Sequence, residues 1–154
     1  MNVEQRLKEL GLELPNPPRP AGNYQPWILS DKLLLLSGQF PIRNGQLQYT
    51  GRVGAELTEA QGREAAQLAA LNALAQVRAA LDGFDRLVRL LRVEGHVASA
   101  PGWSSAPKVL DGASELFVSV LGERGRHTRT AFTPGRLPLD LAVELVVTAH
   151  VQES

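Results

Sequence analysis

Two charged residues stand where the sequence otherwise calls for apolar ones. Arg129 enters an alternating segment that runs to Phe132, and Glu144 interrupts the apolar run LAVELVV. A guanidinium presents a planar fork that suits a carboxylate in two-point contact. A carboxylate on a strand either faces solvent or, turned into a cleft or interface, needs a donor and can hold or activate a water. Arg129 closes the basic stretch GERGRHTRT. Arg124 and Arg126 in that stretch read as loop charges that complement the C-terminal end of a preceding helix. Arg129 and Glu144 are expected on adjacent strands joined through Leu137-Pro138, and so in one shared site.

Other chemistries are narrowed by what is missing. There are no cysteines, which removes thiolate catalysis, disulfides, cysteine-ligated zinc and iron–sulfur clusters. The three histidines, His96, His127 and His150, lie far apart with no HxH or HExxH spacing, so they read as surface or satisfied strand residues and no metal is expected. GxSxG, GxxxxGK[ST] and a GxGxxG after a strand are absent, which sets aside nucleophile-elbow, P-loop and dinucleotide sites. With 16 Lys+Arg balancing 16 Asp+Glu, the chain makes no broad electrostatic claim on nucleic acid or anionic membrane. No apolar run approaches the roughly 20 residues that span a bilayer. The opening MNVEQRLKEL lacks the apolar core of a secretory signal, so a cytoplasmic protein is expected.

These residues need a scaffold. The 154 residues suit one domain, preceded over residues 1–23 by a short helix and a proline-rich arm, with the domain itself over 24–154. Val3, Leu7 and Leu10 form one helical stripe that Gly11 ends; Pro15, Pro17, Pro18 and Pro20 then force an extended path, ordered only where it packs on a neighbouring surface. WILSD and LLLLSGQFP read as two strands, the second ending at Ser37-Gly38, where small residues allow a bend or close backbone approach. Asn44-Gly45 marks a hairpin. Thr58 and Gln61 cap a helix that runs to Asp82. LVRLLRVEGHVAS reads as a strand with Leu87, Leu91, Val93 and Val97 in one phase, with a helical alternative for its first half. A second amphipathic helix ends at Gly122, and two strands follow. The pattern is α+β, with helices on one face of a sheet. Several strands are apolar in both phases, more than two helices can cover, so self-association through the open face is expected.

The residues also resemble a known family. SGQFP after an apolar strand, GNY upstream of it, and HTRTAFTPGRLPLDLAVELVVTAH near the C-terminus are similar to the YjgF/RidA family of enamine/imine deaminases, also described as endoribonuclease L-PSP-like. KVLDGASELFVSVLGERGRHTRTA is similar to a branch with a longer N-terminus, and the resemblance runs from about Leu14 to the end. It implies a chorismate-mutase-like fold with two helices on one face of the sheet, a homotrimer whose sheets form a barrel, and clefts between subunits. It also implies that Arg129 grips a substrate carboxylate, Glu144 lies near the attacking water, Tyr24 lines the pocket and Ser37 forms its floor. Ala131 stands where many members have a cysteine whose backbone amide is used. Asp111 stands where many carry asparagine, and an acid there would repel a carboxylate.

The activity so implied is hydrolysis of 2-imino or 2-enamino acids to 2-ketoacid and ammonia, without a cofactor. The alternative is a regulatory trimer that binds small carboxylates without turnover. A third reading, RNA cleavage, is opposed by the zero net charge and the lack of a histidine pair.

Overall fold

The computed structural model describes residues 2–153. A short helix α1 (Val3–Glu9) leads into the arm, then β1 (Trp27–Ser30), β2 (Leu33–Leu36), the small hairpin β3 (Ile42–Arg43) and β4 (Gln46–Leu47), α2 (Glu59–Leu81), β5 (Leu87–Val97), α3 (Ala106–Leu121), β6 (Thr128–Phe132) and β7 (Val143–Val151). The main sheet is mixed, in the order β1-β2-β7-β5-β6, and β5–β6 is its parallel pair. The fold class is therefore α+β.

Local chemistry accounts for the elements. Thr58 and Gln61 close a reciprocal capping box on α2, and Asp82 ends the helix in the left-handed region at φ 54°. The middle of α2 is small and buried on nearly every side, from Ala65 through Val77. It lies between the sheet and its neighbours, with α3 packed directly against it: a β-carbon at Gly112 would come within 2.6 Å of the Arg63 carbonyl oxygen. In α1, Val3 and Leu7 are buried, but Leu10 is the exposed C-cap rather than a third stripe residue.

The core lies between the helices and one face of the sheet, with Leu34, Leu90, Val93, Leu145, Val147 and Phe117 among its fully buried side chains. β5 departs from simple alternation. Its buried series is Leu87, Leu90, Val93, Gly95 and Val97, and the pairing with β7 shifts register between Leu87 and Arg89 and again between Leu90 and Arg92. Each irregularity adds one residue, so apolar positions recur every third residue and imitate a helix. Leu90, not Leu91, is the inward residue. The opposite face of β5 is consequently polar, with Arg92 and Glu94 ion-paired at 3.2 Å. On β1 and β2 the same face stays apolar and exposed at Ile28, Leu33 and Leu35.

The expectation that β6 and β7 are neighbours is corrected. β6 pairs with β5 in parallel, and β5 separates it from β7. The cause is the β5–α3–β6 segment: a helix between two strands makes a crossover, which sets them parallel and adjacent.

Candidate functional site

Beyond the end of β2 the chain turns through Ser37–Ile42 and forms one side of a cavity of about 550 Å³. The arm from Pro18 to Tyr24, Leu139, Gln76 of α2 and Glu144 of β7 complete its walls. Two backbone bonds clamp the turn to β7, Gln39 N to the Leu145 carbonyl at 2.8 Å and Leu145 N to the Gln39 carbonyl at 2.9 Å. They press Gly38 against Glu144 so closely that a β-carbon there would run into the carboxylate. Asn72 of α2 supports the turn from below, donating to the Phe40 and Ile42 carbonyls at 2.7 Å each.

The cavity holds three of the residues singled out in the sequence. Glu144 is half-buried, and desolvation raises its carboxyl above the ordinary range, with His96 across the ladder pulling weakly the other way. A raised carboxyl can exchange a proton with a bound water nearer to neutrality. Ser37 donates its hydroxyl to the Gln25 carbonyl at 2.5 Å, so it ties the arm to the sheet. Tyr24 is exposed at the rim, and its hydroxyl accepts a bond from Ala21 N at 3.1 Å.

Arg129, Asp111 and Ala131 lie elsewhere. Arg129 is paired in register with Val93, which turns its side chain to the helix face, whereas Glu144 points to the opposite face. Its Nη1 donates to Asp111 Oδ1 at 2.9 Å and to Ser114 Oγ at 3.1 Å, and its Nη2 to the Pro107 carbonyl at 3.3 Å. Asp111 is therefore the partner of Arg129 in this chain. Ala131 is exposed two residues further along β6. Arg129 and Glu144 thus do not share a site within one chain.

His127, read from the sequence as a surface or satisfied strand histidine, braces this arginine through Ser114. His127 Nδ1 lies 2.6 Å from the Gly125 carbonyl and its Nε2 lies 2.8 Å from Ser114 Oγ. The carbonyl only accepts, so Nδ1 carries the proton; Nε2 then accepts from Ser114, whose lone pairs receive Arg129. Burial, with help from the Arg129 charge and against the Gly125 carbonyl, lowers the His127 pKa and favours this neutral form. Both Nη1 protons of the guanidinium are thus engaged. Ser114 and His127 carry no motif in the sequence, because their roles follow from the packing of α3 against β6. Gln39 and Gln76 were missed for a similar reason: each is a buried amide that bonds loop backbone.

Comparison with known proteins bears on the same features. Residues 4–150 match the model of the family described as YjgF/chorismate mutase-like, putative endoribonuclease. Protein TCP17 of Trypanosoma cruzi is 39% identical over 144 residues, spanning 93% of this chain and 90% of that protein. The putative endoribonuclease of Shewanella oneidensis MR-1 superposes with a TM-score of 0.95 at 38% identity, over 98% of this chain and 100% of that one. TdcF of E. coli, solved with bound serine, shares the fold at a TM-score of 0.66 and 18% identity, over 90% of this chain and 94% of that chain.

Proposed function

The chain belongs to the YjgF/chorismate mutase-like family, and from that premise we propose that it is a hydrolytic deaminase of 2-imino and 2-enamino acids. The observation that carries the reading is Glu144: a half-buried carboxylate with a raised pKa, set beside Tyr24 and Ser37 in a largely apolar cavity. In the proposed reaction a water held by Glu144 gives its proton to the carboxylate as its oxygen bonds to the imine carbon. Glu144 returns the proton to nitrogen; it then carries the proton of the new hydroxyl to the amino group as the C–N bond breaks and the C=O bond forms, so ammonia leaves and a 2-ketoacid remains. Orientation of one small substrate supplies most of the rate, and the serine held by TdcF is a ligand of suitable size in the same fold.

The substrate carboxylate is assigned to Arg129. Within one chain Arg129 faces the helices from an edge strand while Glu144 lies across β5 on the other face. The two therefore meet on one substrate only if a second copy supplies one of them, and a homotrimer with its clefts between subunits satisfies this. The exposed Ile28, Leu33 and Leu35 on the open sheet face give such an assembly apolar area to bury.

A coupled assay, in which a dehydratase generates 2-aminoacrylate and ammonia release is followed, tests the role. Arg129→Ala is expected to lose about 10- to 100-fold in kcat/KM, the worth of one charge-assisted contact; unchanged kcat/KM contradicts it. A second reading, carboxylate binding without turnover, is supported by TdcF, a protein of the same fold solved with bound serine. Saturable binding of 2-ketoacids by a protein that releases no ammonia selects it.

A further inference from the structure

The cavity beside Glu144 has one cation in its wall, and it comes from the arm. Arg19 lies between Pro18 and Pro20, whose rings fix the backbone on either side. Both flanks are also tied down. The fully buried Gln76 donates from Nε2 to the Pro18 carbonyl at 2.8 Å, and Tyr24 accepts from Ala21 N at 3.1 Å. Arg19 is thus carried on a braced stretch of backbone at the cavity rim. The ion pairs among the described residues engage Arg6, Arg52, Arg63, Arg78, Arg92, Arg126, Arg129 and Arg136, and not Arg19. Glu144 is the one acid among the lining residues, and Pro26, Phe40, Ile42 and Leu139 make the lining largely apolar.

We propose that Arg19 is a specificity-determining, anion-binding residue, and that this cavity takes 2-imino acids and their 2-ketoacid products whose side chain ends in a second carboxylate. The proposal rests on the deaminase reading for the reacting end of the ligand; the charge at the far end is argued from the cavity alone. An aliphatic stem packs on the apolar walls, and the distal carboxylate meets the guanidinium in a charge-assisted pair. A dianion in a cavity that already contains Glu144 needs a compensating cation, and Arg19 supplies one unit of charge. One unit matches a carboxylate; a phosphomonoester carries nearly two.

Calorimetric binding of 2-oxoglutarate and of its 5-methyl ester, which keeps the open chain and removes only the distal charge, separates the charge from the shape. The intact protein is expected to bind the diacid at least about 10-fold more tightly at low salt, with the ratio shrinking as salt is added. Arg19→Gln, with its Tm checked against the parent, is expected to bring that ratio to about one. Equal affinity for the two compounds, binding of neither, or a ratio unchanged in Arg19→Gln overturns the proposal. Failure of the deaminase reading looks different: the binding ratio and its loss in Arg19→Gln persist, while no imine yields ammonia.

Discussion

Burial shifts the Glu144 carboxyl upward and the His127 imidazole downward, and each shift has a testable sign. Desolvation raises Glu144, so its charged form is disfavoured in the folded chain. A raised acid contributes stability that is present at low pH and lost as pH rises through the folded pKa. Glu144→Gln is therefore expected to raise Tm at pH 8, with the gain vanishing near pH 4, while ammonia release falls about 100-fold or more as general base action is removed. A lower Tm at pH 8 speaks against a desolvated carboxylate. His127 is shifted the opposite way and stays neutral when folded. The unfolded chain takes up that proton near pH 6.5, so the contribution is held above about that pH and lost as pH falls below it. His127→Gln is expected to lose less Tm than the parent between pH 7.5 and 5.5, and to raise KM more than it lowers kcat, because its effect runs through Ser114 to Arg129. Equal pH slopes in variant and parent refute the neutral-histidine network. Arg129 and Glu144 stood out in the sequence as charges in apolar strands. His127, Ser114 and Arg19 did not, since a chain read in one dimension shows neither the helix that packs on β6 nor the amide that ties down the arm.

Elements were legible where period and caps agreed, and obscured where the chain bends its own rule. Thr58 and Gln61 announced α2, and Asn44-Gly45 the β3–β4 hairpin. β5 was harder. Its two register shifts give Leu87, Leu90 and Val93 a three-residue spacing, which is why a helix remained open for its first half and why Leu91 was given the inward place. Nearness in sequence favours a β6–β7 pair, but the crossover through α3 seats β6 beside β5. The Ser37-Gly38 bend was read as a place for close backbone approach, and Gly38 indeed packs against the Glu144 carboxylate. Gly38→Ala forces that carboxylate aside. Activity is expected to fall about 100-fold, as for a displacement of about 1 Å at a reacting centre, while Tm changes by less than about 4 °C. Full activity in this variant shows that the carboxylate's position is not what matters.

At the scale of the whole molecule, the residues of the proposed site lie on two faces of one sheet. Tyr24, Ser37 and Glu144 share a cavity with the arm, and Arg129 is held ready on the edge strand by α3. The sequence pointed to an apolar face that two helices leave open, and Ile28, Leu33 and Leu35 are exposed there. It did not reveal that Arg129 and Glu144 lie on opposite faces, because that depends on which strand stands between them. The central claim, that one site is completed by two copies of the chain, makes a demand that a single-chain site cannot meet. Arg129→Ala and Glu144→Gln, each retaining no more than about a tenth of the parent activity alone, are denatured together, refolded as a mixture and assayed for ammonia release. Random pairing leaves both groups intact at about a quarter of the sites, so recovery of about a quarter of the parent activity is expected. No recovery from a mixture shown to contain both chains in one assembly would contradict it.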